Sequence, residues 1–181
     1  LDYDDSTWLT GAAELGYGES DEATVLDKEV GAKSVYFRKK ITLNGPVGHY
    51  ILRYRVDDGL GIYVNGELVH TYNLSEGEDA LDFGTSAASQ KDNAWAVFKS
   101  GPEDLSPFVE GDNIIAVIVK QANKAGGDLS FNLELQTFQA ADPNVGMMAP
   151  LTLPHKASND QNGYSVAIVK DVTGDGHRDL L

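Results

Sequence analysis

From Leu129 to Thr137 the chain alternates strictly, with Leu129, Phe131, Leu133 and Leu135 at one parity and Ser130, Asn132, Glu134 and Gln136 at the other. A period of two predicts a strand with one buried and one wetted face. Val35 to Leu43 follows the same rule, with Val35, Phe37, Ile41 and Leu43 against Tyr36, Arg38, Lys40 and Thr42. So does His49 to Val56, with Tyr50, Leu52, Tyr54 and Val56 against Arg53 and Arg55. Asn113 to Val119 is instead an unbroken apolar run of mainly β-branched residues, which predicts a central strand covered on both faces. Between Leu60–Val64 and Glu67–Thr71 sits Asn65-Gly66, the pair that accepts positive φ at both centres of a tight hairpin turn. Glu76 to Phe108 is rich in Gly, Ser, Ala and Asp and predicts long loops around a short strand, with a turn of helix at Pro102 to Leu105. Sustained helical periodicity occurs nowhere. Six to eight strands separated by turns predict an all-β fold, an antiparallel β-sandwich of the jelly-roll kind.

The pattern changes after Phe138. Residues 140–162 carry Pro143, Pro150 and Pro154 among Asn, Gly and Met and read as a linker, so the sandwich is expected over residues 1–139. A strand-like piece, Tyr164 to Val169, then opens a third segment, residues 163–181. Its sequence Asp171-Val172-Thr173-Gly174-Asp175-Gly176-His177-Arg178-Asp179 sets oxygen donors at alternate positions and a glycine where the chain must turn sharply. Asp171, Thr173, Asp175, the His177 carbonyl and Asp179 match the order in which a loop wraps Ca²⁺. A solvated Gly-rich turn is the plainer alternative.

Charge narrows the choice of partners. Fourteen Lys and Arg against 28 Asp and Glu give a formal charge of −14 among 181 residues, which disfavours nucleic acid and anionic membrane surfaces and favours cations. The absence of Cys removes disulfides, thiolate metal sites and cysteine nucleophiles. No apolar run approaches the ~20 residues of a spanning helix. No charged-then-apolar leader precedes Leu1, and a start other than Met suggests a processed protein or a fragment.

Chemical motifs are few. Asp57-Asp58-Gly59 places two carboxylates side by side, but neighbours on a strand face opposite ways, so turn capping by one of them is the first expectation and a metal or ligand contact the second. Asp4-Asp5, Asp21-Glu22 and Glu103-Asp104 read as solvated loop acids. No nucleophile elbow, zinc-protease helix or phosphate loop is present, and His49, His70, His155 and His177 lack metal spacing, so catalysis within this chain is not expected. Aromatic and amide residues in or beside loops are better candidates, since sugar rings pack on aromatic faces while amides bind hydroxyls. Tyr63, Asn65, His70, Asn73, Trp95 and Gln121 form the candidate ligand set, Trp95 being the residue expected to stand most exposed. Asn73-Leu74-Ser75 is formally a glycosylation sequon.

Trp8 with Gly11 to Gly18, Tyr36-Phe37-Arg38-Lys39, Asp57-Asp58-Gly59 with Tyr63 to Val69, Glu110 to Val117, Gln121 and Asp128 to Leu135 together resemble the galactose-binding-like jelly-roll modules of secreted bacterial proteins, over roughly residues 6–138. Lys120 departs from that pattern, where such modules commonly carry His before the Gln. Residues 163–181 resemble the opening of an FG-GAP or VCBS-type repeat, a blade unit of Ca²⁺-binding propellers. The resemblance implies a non-catalytic, secreted, Ca²⁺-stabilised accessory module, with a polysaccharide or glycan and neighbouring domains as partners. A ligand-free structural or adhesive spacer, and a polysaccharide lyase or hydrolase, are the alternatives it leaves.

Overall fold

A computed structural model describes residues 3–27, 33–93, 95–101, 105–123 and 127–139. Contacts divide the chain into two units, Leu1–Ala141 and Asp142–Leu181, and the described residues all belong to the first. The linker, the terminal repeat with its Ca²⁺ loop Asp171 to Asp179, and residues 102–104 of the expected helical turn lie outside them.

Nine strands are described: β1 (Leu15–Tyr17), β2 (Thr24–Val25), β3 (Ser34–Leu43), β4 (Val47–Asp57), β5 (Gly59–Val64), β6 (Glu67–Tyr72), β7 (Trp95–Lys99), β8 (Gly111–Lys120) and β9 (Leu129–Gln139). They form two sheets, ordered β2-β1-β9-β4-β7 and β3-β8-β5-β6, and every described pairing is antiparallel except β1 with β2. The fold is the all-β sandwich that the alternation predicts.

The inward parity of each long strand builds the core. Tyr50, Leu52, Tyr54 and Val56 of β4 and Leu129 and Phe131 of β9 face Leu60, Ile62 and Val64 of β5 and Ile115, Val117 and Val119 of β8. Phe37 of β3 stacks across the sheets on Phe131, with ring centroids 4.6 Å apart. Burial of each such side chain contributes about 1.5–3 kcal/mol, so register is fixed strongly: a slip of one residue would turn all of these outward.

The unbroken apolar run of β8 has a specific cause. Its outward parity is also covered, because the stretch after β6 makes one 3₁₀ turn at Glu78–Leu81 and lays Leu81 over the second sheet. A Cβ at Gly61 would stand 2.5 Å from Leu81 and 3.3 Å from Ile118, so only glycine leaves room for this cover. Beneath the same stretch lies Lys120, fully buried, whose Nζ donates to Ser34 Oγ at 2.9 Å and to the Asp82 carbonyl.

Candidate functional site

Four connections meet at one end of the sandwich: the β1–β2 loop, the β4–β5 corner, the segment leading into β7, and the β8–β9 loop. Asp58 ties three of them. Its Oδ1 accepts the Lys91 N–H and its Oδ2 accepts the Ala122 N–H, both at 2.7 Å, while its own N–H donates to the Lys120 carbonyl at 3.1 Å. This is the capping role expected of one member of the pair, carried out over long range rather than within a local turn. The Asp57–Asp58 peptide is cis.

Asp57 ends β4, paired with Ser130 of β9, and is buried. Its carboxyl turns toward those of Glu19 and Asp128, and one oxygen of each lies within 4.8 Å of the others. Asp58 is also within hydrogen-bonding reach of Asp57. The expectation that the two aspartates face apart fails here because the strand ends at Asp57 and the alternation does not carry across the corner. Burial pushes the Asp57 carboxyl up to about 8, and the hydrogen bond and charge of Asp58, then the charges of Asp128 and Glu19, push the same way. Glu19 is raised by desolvation and by Asp128, with Asp21 and Asp92 adding to it. Arg55, the guanidinium nearest this end of β4, is committed to Glu14 at 2.6 Å and reaches Asp21 at 3.6 Å. The buried amide of Asn93 has no partner for either of its polar atoms.

The β1–β2 loop is pressed onto the β8–β9 loop. Gly18 has φ +105°, and a Cβ there would lie 2.7 Å from the Gly127 carbonyl oxygen and 2.8 Å from the Asp128 Cα, so glycine is required both for its dihedral and for the approach that brings Glu19 to Asp128. Three carboxylates from three separate segments, one buried and one exposed, make an all-oxygen donor set. Hard cations take such sets, and donors carried on independent loops suit the loose coordination of Ca²⁺ better than the rigid octahedron of Mg²⁺.

The residues singled out from sequence divide by place. Gln121 and Asn73 belong to this end: Gln121 Nε2 donates to the Asp128 carbonyl at 2.8 Å, and Asn73 Nδ2 donates to the carbonyls of Asp58 at 3.2 Å and Ser89 at 2.6 Å. Asn73, the sequon residue, therefore has its amide already engaged. Asn65 lies at the opposite end, where its amide donates to the Pro107 carbonyl and Asn113 Oδ1 and accepts from the Ile114 N–H. Tyr63, next to it on β5, is half-buried, and burial with the nearby Tyr36 raises its phenol. His70 is half-buried, its Nε2 2.9 Å from the Tyr54 hydroxyl and its ring stacked on Phe98. Trp95 is 39 % exposed on the edge strand β7, with the Arg53 guanidinium 4.0 Å above its ring. Glu19 and Asp128 were not among the candidates. Each sits one or two residues beyond a strand end, and that is the only mark either carries in the sequence.

No protein-family model and no curated protein matches the chain. Among solved structures it is similar to the PA14 domain of the antifreeze protein MpAFP, at 21 % identity and a TM-score of 0.34, over 60 % of this chain and 45 % of that one. It is also similar to a PA14 sugar-binding domain from an RTX adhesin, at 22 % identity and a TM-score of 0.29, over 58 % of this chain and 47 % of that one. The chain thus spans less than half the length of either. Among the described residues no helix is long and apolar enough to cross a membrane.

Proposed function

We propose that this chain is a non-catalytic, extracellular carbohydrate-binding domain that grips its ligand through a divalent cation, Ca²⁺ by the chemistry of the donors, at Glu19, Asp57 and Asp128. The observation that carries the reading is the convergence of three carboxylate oxygens within 4.8 Å, in a corner whose loops Asp58 already holds. Two ligands of one Ca²⁺ stand at most about 5 Å apart, and the ion takes 6–8 oxygens. Three carboxylates supply only part of that shell. With Asp57 buried and Glu19 exposed, the open side faces solvent, where paired sugar hydroxyls are suitable oxygen donors. The net charge of −14 favours a cation and a neutral glycan over an anionic one. Extracellular modules hold Ca²⁺ at about 10⁻⁴–10⁻³ M, a range met outside cells. The terminal loop Asp171 to Asp179 is proposed as a second, separate Ca²⁺ site, and a neighbouring domain of a longer protein as the partner that this module positions.

A glycan array probed in Ca²⁺ and again in EDTA tests the reading. We expect retention by a subset of neutral glycans that disappears with the chelator and in Asp57→Asn. Retention indifferent to Ca²⁺ would contradict it, and Ca²⁺ binding with no glycan retained would leave the spacer reading.

A further inference from the structure

A cleft of about 350 Å³ opens where the β1–β2 edge of one sheet meets the β3 edge of the other, walled by Trp8, Leu9, Tyr17, Leu26, Tyr36 and Phe83. This is within the usual size of small-ligand sites. Three of these walls are exposed apolar residues: Tyr36 by 46 %, Phe83 by 56 % and Leu9 by 88 %. Single exposed aromatics are ordinary, whereas several converging on one concavity mark a contact surface. Tyr36 and Phe83 lie nearly parallel, at 13° with centroids 6.3 Å apart, and so present ring faces rather than a filled core.

The fold holds this aromatic pair in place at a cost. Phe83 comes from the stretch that covers the second sheet, and its carbonyl accepts from Ser34 Oγ at 2.8 Å. Lys120 donates to that same Ser34 hydroxyl and to the carbonyl of Asp82, the residue before Phe83. Burying an ammonium is unfavourable unless its hydrogen bonds are met. Here two of its three N–H donors are taken by the groups that fix where Phe83 stands.

Tyr17 joins the cleft to the cation cluster. Its ring is a wall of the cleft, it pairs with Leu129 immediately after Asp128, and it precedes Gly18 and Glu19 in the chain.

We propose that this cleft is a second saccharide subsite, receiving the apolar C–H face of the pyranose next to the one bound at Glu19, Asp57 and Asp128. The inference rests on the reading of the preceding subsection and adds that the ligand is a chain of at least two sugar residues. Aromatic faces suit the C–H side of a pyranose, and Asp27, Ser34 and the tyrosine hydroxyls at the rim suit its hydroxyls. The continuity through Tyr17 favours a sugar over an unrelated apolar peptide.

Calorimetry in saturating Ca²⁺ tests this, with D-glucose, D-galactose, D-mannose and L-fucose and their linear oligosaccharides of two to four residues as probes. For the sugar that binds, the oligosaccharide is expected to bind roughly tenfold tighter than the monosaccharide, a difference of about 1.4 kcal/mol. Tyr36→Ala and Phe83→Ala should remove that gain and leave monosaccharide affinity as it is, and Phe83→Tyr should retain it. Both side chains are exposed, and an unchanged Tm checks that the variants fold. Of the two indole N–H signals in an NMR spectrum, that of Trp8 should move with the oligosaccharide and not with the monosaccharide. A length gain that survives both alanine variants, or a Trp8 signal indifferent to the oligosaccharide, would overturn the subsite. Ca²⁺-dependent monosaccharide binding with no length gain would also overturn it while sparing the cation site, whereas failure of every sugar would remove both. Self-association abolished by Phe83→Ala would place a second copy in the cleft instead.

Discussion

The two ends of the sandwich are both laced by polar side chains, yet only one is closed. At the end formed by the Asn65-Gly66 turn and the start of β8, Asn113 is fully buried and uses its amide completely. Its Nδ2 donates to the carbonyls of Val109 at 2.8 Å and Gly111 at 2.9 Å, and its Oδ1 accepts from the Val109 N–H and from Asn65 Nδ2, both at 2.8 Å. Amides carry donors and acceptors together, so this network satisfies itself with no net charge. Ionised carboxylates carry acceptors alone. Asp58 finds its donors in two backbone N–H groups, but Asp57, Glu19 and Asp128 set oxygen against oxygen and are relieved only by a proton or a cation. The first arrangement is a closed strut, the second an open cluster of acids.

The largest effect expected of a substitution is at the strut. Asn113→Ala strands four hydrogen-bonding partners and should cost roughly 3 kcal/mol in urea unfolding, by the same amount with or without Ca²⁺. A cost that shrank in Ca²⁺ would mean that the two ends are coupled. Next, Asp58→Ala releases the Lys91 and Ala122 N–H groups and should cost about 2 kcal/mol while also abolishing the Asp57-dependent Ca²⁺ response, because the loops that carry the other acids are no longer held. Stability indifferent to this change would show that the corner is tied by other means.

Asp57→Asn should act in the opposite direction. The carboxyl titrates near 8 in the folded chain and near 4 in the unfolded one. The folded state therefore holds a proton that the unfolded state has lost, and stability drawn from this group falls as pH rises from about 4 to 8. At pH 8 without cation the asparagine variant is expected to be more stable than the parent by about 1 kcal/mol, and to lose that advantage at pH 4. A variant less stable than the parent at pH 8 would remove the repulsive account of this end.

These two ends were not equally legible in the sequence. The alternation in β3, β4 and β9 and the Asn65-Gly66 turn name their strands directly, because the residues that decide them are contiguous. β1 and β2 escaped, being three and two residues long with too few positions to show a period. Asp57-Asp58 was visible as a pair, and one capping role was foreseen. Its companions were not, since Glu19 and Asp128 are brought to it by the order of strands β1, β9 and β4 in one sheet, a property of the whole topology. Trp95 drew attention by standing in a polar stretch, yet pairing with β4 sets it beside Arg53, whereas the aromatic cleft gathers Trp8, Tyr17, Tyr36 and Phe83 from four segments that no local pattern links.

The smallest expected effect comes from the region between the two ends. Burial holds His70 below its ordinary value, so the unfolded chain takes up the proton first, and stability from this group is complete above about pH 6.5 and declines as pH falls below it. His70→Phe should lessen the loss of Tm between pH 7 and pH 5 by a few degrees relative to the parent. An unchanged pH profile would mean that His70 accepts its proton in place.

The central claim is that one end of this sandwich is built to hold a cation, and calorimetric titration of Ca²⁺ into the chain and its Asp57→Asn variant tests it most directly. A second ion bound by the terminal loop would appear in both titrations and cancel in the comparison. The account predicts that the parent binds one equivalent more than the variant. Equal stoichiometry in the two would contradict it.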